Sequence, residues 1–193
     1  MRDNLILADA TAARLIMAGI LDEGVCAEGV FRMEHIREGR VIRREYFLNT
    51  VVTAGRNALL DAALSGAAYT VTGPFMGLIS SASFSAIAAG DTMASHAGWL
   101  EAGGVNAPTY AAPRKTCAWS AAAAGAKSLS AALNFTFTGL GTVKGAFLCF
   151  GAGALATIDS TAGTLFSAGL FSGGDRAVVA TDQLNINYTV TLS

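Results

Sequence analysis

The stretch QLNINYTVTL, residues 183–192, decides the fold. Leu184, Ile186, Tyr188, Val190 and Leu192 alternate with Asn185, Asn187, Thr189 and Thr191. Successive side chains of a strand point to opposite faces, so period-two alternation over ten residues describes a half-buried antiparallel strand. Residues 129–138 repeat the pattern, with Leu129, Ala131, Leu133, Phe135 and Phe137 on one face and Ser130, Asn134, Thr136 and Thr138 on the other. Between the two, residues 143–150 are almost wholly apolar, as a strand covered on both faces would be. Residues 165–171 and 176–180 continue the series, with Gly173-Gly174 as a turn.

Working toward the amino terminus, residues 30–48 read as a hairpin, FRMEHI and VIRREYFL, joined across Arg37-Glu38-Gly39-Arg40. Gly39 supplies the positive φ that a tight turn requires. The period becomes helical over residues 53–65, with Thr53 as N-cap, Leu59, Leu60, Ala63 and Leu64 as the apolar stripe, and Gly66 just past the end. A helix this short needs tertiary packing, so it is expected to lie against a sheet. Residues 74–79 form a short apolar strand, residues 91–97 a capped helical turn, and Trp99 and residues 115–119 weaker strands. Residues 1–27 read as an arm or a short helix through about Leu21, capped by Asp9 or Thr11 and ended by Gly24.

Many short strands separated by turn residues, with one or two helices, predict a mainly β protein. The expected architecture is an antiparallel β-sandwich or jelly roll over residues 28–193, including the 30–48 hairpin and the 53–65 helix, preceded by an N-terminal arm or short helix over residues 1–27.

Charge is scarce and uneven. Charged residues make up 14% of the 193-residue chain, against about 25% in ordinary globular domains. Residues 1–66 hold eight Arg and nine acids, whereas residues 67–193 hold only ten charges in all. Mixed surface charge is what keeps soluble domains apart, so this pattern points to a surface that lies against neighbours. A net charge of −1 argues against broad nucleic-acid binding, which depends on excess cations facing phosphates. No window has the roughly 20 unbroken apolar residues of a membrane span. Cys26, Cys117 and Cys149 form neither a CxxC pair nor an even set, so buried free thiols are expected, as suits a reducing cytoplasm.

Residues with catalytic chemistry are sparse. Ser95 and His96 are adjacent, and adjacent side chains diverge, so they do not read as a dyad. Cys117 and Cys149 lie in apolar surroundings with few cations to lower a thiol pKa. Asp91, Asp159, Asp175 and Asp182 stand beside turn residues and read as caps of backbone amides rather than Ca²⁺ ligands. No nucleotide-binding glycine pattern occurs. The expectation is a non-enzymatic chain with no cofactor and no metal. Arg37, Arg40, Arg43 and Arg44 are the one cationic cluster, interleaved with Glu34, Glu38 and Glu45. They read either as an internally paired hairpin or as a docking surface for an acidic patch on a partner. Trp99, Tyr110 and Trp119 read as core or interface anchors.

The string beginning at Asn49, N-x-V-x-x-x-G-x-x-x-L-L-D through Asp61, resembles a recurrent opening in tailed-phage virion proteins. The likeness continues with Phe75-Met76-Gly77-Leu78-Ile79, with residues 90–99, and with Phe171-Ser172-Gly173-Gly174-Asp175-Arg176, and departs at Leu100, where the family shows Thr. Residues 49–193 are thereby similar to the jelly-roll cement or decoration subunits of some podophages. The resemblance implies clustered or dimeric subunits that bridge major capsid proteins on the outer capsid surface, after synthesis in the host cytoplasm, with no nucleic-acid or membrane partner. A tail or fibre component, adaptor or receptor-binding, is the alternative.

Overall fold

In a computed structural model, residues 27–64, 72–111 and 113–192 are described. The expected arm over residues 1–27 and the helix-ending Gly66 therefore fall almost wholly outside the described residues. The described residues are mainly β, with two antiparallel sheets and one helix. Its strands are β1 (Ala27–Arg37), β2 (Arg40–Leu48), β3 (Thr50–Val51), β4 (Phe75–Ser80), β5 (Lys115–Thr116), β6 (Ala126–Ser128), β7 (Leu133–Thr136), β8 (Gly141–Phe150), β9 (Thr164–Leu170), β10 (Arg176–Val178) and β11 (Gln183–Leu192). The helix α1 (Thr53–Leu64) lies between β3 and β4.

The first sheet runs β2-β1-β11-β6, with β7 also on β11; the second runs β3-β9-β8-β4-β5, with β10 on β8. Alternation places Phe31, Met33, Leu184, Ile186, Tyr188 and Phe135 of the first sheet in one core with Met76, Leu78, Ala146, Leu148 and Phe166 of the second. That shared core makes the fold a sandwich. On its far side the first sheet carries a neutral polar ladder: Asn134 Nδ2 donates to Asn185 Oδ1 at 2.7 Å, and Ser128 and Thr189 hydroxyls meet at 2.7 Å.

The second sheet is covered twice. A smaller core on its other face gathers Phe147 and Cys149 of β8 with Ile79, Met93, Trp99 and Leu165. This explains the unbroken apolar run of β8: Ala146 and Leu148 face the first sheet, while Phe147 and Cys149 face residues of the long β4–β5 connection.

Three local readings need correction. The alternating residues 129–138 do not form one strand. β6 and β7 pair with opposite ends of β11, and the six residues from Ser128 to Leu133 span four on β11, from Thr189 to Ile186. The extra residues loop out, so Ala131 is exposed. Residues 91–97 form bends and turns rather than a helical turn. Asp91 caps nothing ahead of it; its carboxylate accepts from the Ala88 amide and from the Trp99 indole N–H, both at 2.9 Å.

The third correction concerns α1. Of the predicted stripe only Leu59 packs on the core: Leu60 and Leu64 are 57% and 78% exposed, whereas Gly55 and Ala58, outside the stripe, are buried. A Cβ at Gly55 would collide with the Phe166 carbonyl oxygen on β9, so glycine is what allows the helix to approach the sheet. Nor is Thr53 a side-chain cap of the backbone; it is the first helical residue, and its Oγ1 accepts from Arg56 Nη2.

Candidate functional site

The β1–β2 hairpin turns through Glu38 (φ 50°) and Gly39 (φ 74°), both left-handed as a two-residue hairpin turn demands. It brings Arg37 and Arg40 opposite each other and sets Arg44 across from Glu34. The four arginines then go different ways. Arg37 donates through Nε and Nη2 to the Asp182 carboxylate, with the closest approach at 2.6 Å. Asp182 also accepts from His35 Nε2 at 3.0 Å and from the Val179 amide. Arg43 reaches the Gly173 carbonyl at 3.2 Å and lies 3.7 Å from Glu45. Arg44 Nε donates to Glu34 at 2.8 Å, and Arg32 joins the same oxygen at 2.9 Å. Arg40 alone has no side-chain partner among the described residues and stands exposed beside the turn. Three of the four arginines thus bind their own chain, and the open cationic surface narrows to Arg40 with the outer edges of Arg44 and Arg32.

Beside those cations lies a feature the sequence reading missed. Tyr46 and Leu48 are 64% and 73% exposed, and Val41 and Ile42 are also open to solvent, all on β2 at the edge of the first sheet. Phe47 and Glu45, by contrast, turn inward. Phe47 stacks on Phe31 at 4.7 Å and meets Phe171 edge-on at 5.0 Å. In sequence, apolar and charged residues fall on both faces of VIRREYFL, so periodicity did not single out either face.

Among the described residues, two further charge pairs are buried. Glu45 holds Arg176 between the sheets. Under the second sheet, Arg114 donates to both oxygens of Glu101, at 2.8 and 2.6 Å. Its other N–H groups reach Leu155 O, Ser160 O and the Cys149 sulfur. Burial pushes the Glu101 carboxyl above its ordinary value while Arg114 pulls against it. Burial opposes the Arg114 charge, yet Glu101 holds its pKa above the usual arginine value. A cleft of about 180 Å³ opens here, lined by His96, Glu101, Arg114 and Asp159 among others. With all Arg114 donors used, the cluster acts as a staple joining the β4–β5 connection to β8 and to the β8–β9 connection.

Other candidate groups are structural as well. His96 Nδ1 donates to the Trp99 carbonyl at 2.9 Å and its ring stacks on Trp99, while Ser95 bonds within its own turn to Thr92. Asp159 accepts from the Val105 amide, and Asp175 pairs with Lys144 rather than with a backbone amide. Trp99 and Tyr110 are core residues; Trp119 is half-buried. The Cys117 and Cys149 thiols are free and buried, and burial pushes them up to about 12 and about 11. Among the described residues, no group of three or more His, Cys, Asp or Glu is placed to hold a metal ion, and no helix is long and apolar enough to cross a membrane.

No family model, no curated protein and no solved structure matches the chain.

Proposed function

We propose that this chain is an assembly subunit of a tailed-phage particle, a capsid cement protein that binds and bridges major capsid proteins on the outer surface of the head. The observation that carries the reading is the open apolar run of Val41, Ile42, Tyr46 and Leu48 along β2, flanked by exposed Arg40 and Arg44. Large apolar side chains ringed by Arg are the composition of protein–protein contacts, where aromatic and Arg residues dominate binding energy. Supporting it, the charges of the interior are spent on staples, and on the far face of the first sheet neutral Asn, Ser and Thr ladders of β6, β7 and β11 lie beside the Arg32–Glu34–Arg44 cluster of the hairpin. The motif resemblance over residues 49–193 directs the reading to virions, and the jelly-roll variant of the sandwich belongs to the same proposal.

Binding in this reading comes from apolar burial spread over contacts with major capsid protein and with further copies of the chain itself, with Arg40 and Arg44 at the rim meeting carboxylates. The alternative from the same resemblance is a tail or fibre component. Quantitative mass spectrometry of purified particles separates the two. Hundreds of copies per virion support cement, a handful supports the tail reading, and absence from particles removes both.

A further inference from the structure

At one end of the sandwich, among the described residues, Leu59 of α1, Pro74, Trp119, Leu148, Phe150, Phe166 and Val190 line an open cleft of about 400 Å³, in which Lys127 is the one charged lining residue. An apolar volume of this size left to water forfeits the contacts that the rest of the core makes. Leu192, two residues beyond Val190 on β11, is left 45% exposed at the same end.

The chain itself leads to this opening. Ala27, where β1 begins, pairs with Leu192, and Gly29 sits directly across from Val190. One strand spacing, about 4.8 Å, therefore separates the start of β1 from the strand that roofs the cleft. Ala27 packs against the same core cluster as Leu59, Trp119 and Val190. The 26 residues before it carry Leu5, Ile6, Leu7, Leu15, Ile16, Met17, Ile20 and Leu21, a set of large apolar side chains that requires cover. Asp22 and Glu23 stand just ahead of β1, and Lys127, paired with Val190, is the cation at the rim.

We propose that this cleft is the seat of the chain's own amino-terminal segment, residues 1–26. A covalent tether ending one strand away raises the effective concentration of the segment to the millimolar range, which a second copy in dilute solution does not reach. The inference stands on the cleft and on the course of the chain, and does not depend on the virion reading.

The test uses the full chain. A short amine-reactive diazirine is attached to Lys127, the sample is irradiated, and the cross-linked peptides are mapped in an equal mixture of ¹⁴N- and ¹⁵N-labelled protein. The expected product joins Lys127 to a peptide within residues 1–26, carries one isotope only, and is lost in Lys127→Arg. Cross-links confined to residues 65–71, mixed-isotope products, or capture of solvent alone overturn the proposal.

Discussion

Arg114 and Glu101 meet as a two-pronged pair, with Nε and Nη2 on the two carboxylate oxygens and both side chains almost wholly out of water. Removing one partner leaves the other charge buried without compensation, which costs about 3–5 kcal/mol, whereas replacing both with apolar groups costs far less. Arg114→Leu is therefore expected to lose about that much stability in urea unfolding, and the Arg114→Leu/Glu101→Leu double variant to recover a large part of it. A single-variant loss below about 1 kcal/mol would show that the pair does not staple these loops.

The second prediction concerns acid. Asp182 is held at about 2 by Arg37 first, against the opposing push of burial and with His35 assisting. Because the folded value lies below the ordinary 3.8, the stabilisation is complete above about pH 4 and disappears as pH falls toward 2. Its size is at most about 2 kcal/mol. Melting temperature measured from pH 5 to pH 2 should fall more steeply in the native chain than in Asp182→Asn. Parallel curves would refute the linkage.

Gly55→Ala sets helix propensity against packing. Alanine favours an isolated helix by about 1 kcal/mol, but here the new methyl meets the Phe166 carbonyl, and α1 must move off the sheet. A net destabilisation of about 1–3 kcal/mol is expected. Leu64→Ser, at an exposed position of the same helix, should stay within about 0.5 kcal/mol. Equal effects at the two positions would mean that α1 packs through the leucines after all.

The hairpin arginines are not equivalent. Arg37→Ser breaks the contacts to buried Asp182 and is expected to destabilise the fold by about 1–3 kcal/mol. Arg40→Ser and Tyr46→Ser change stability by less than about 0.5 kcal/mol. On the assembly reading, the Arg40→Ser/Tyr46→Ser chain remains folded by circular dichroism yet loses occupancy on particles in a sedimentation assay. Full occupancy would remove β2 from the docking surface.

Much of the architecture was legible in residue order. The alternation of β11, the two-sided apolar run of β8 and the Glu38-Gly39 turn are local consequences of backbone geometry, and each stands where its pattern placed it. The helix was legible in position but not in orientation. Leu59, Leu60, Ala63 and Leu64 announce an apolar stripe, yet which side of α1 lies closest to β9 depends on how near two backbones come, and Gly55 sets that distance.

What only the tertiary structure decided is the fate of the charges. Glu45 and Arg176 are 131 residues apart, Arg37 and Asp182 145 apart, and Glu101 and Arg114 13 apart within the β4–β5 connection. Nothing in their local sequence distinguishes a buried partner from a solvated one, because the distinction arises from which strands become neighbours. Periodicity reports the half of each side-chain pattern that faces inward on average; the partner of a charge, and the openness of Tyr46 and Leu48 on β2, follow from long-range pairing that a local pattern does not encode.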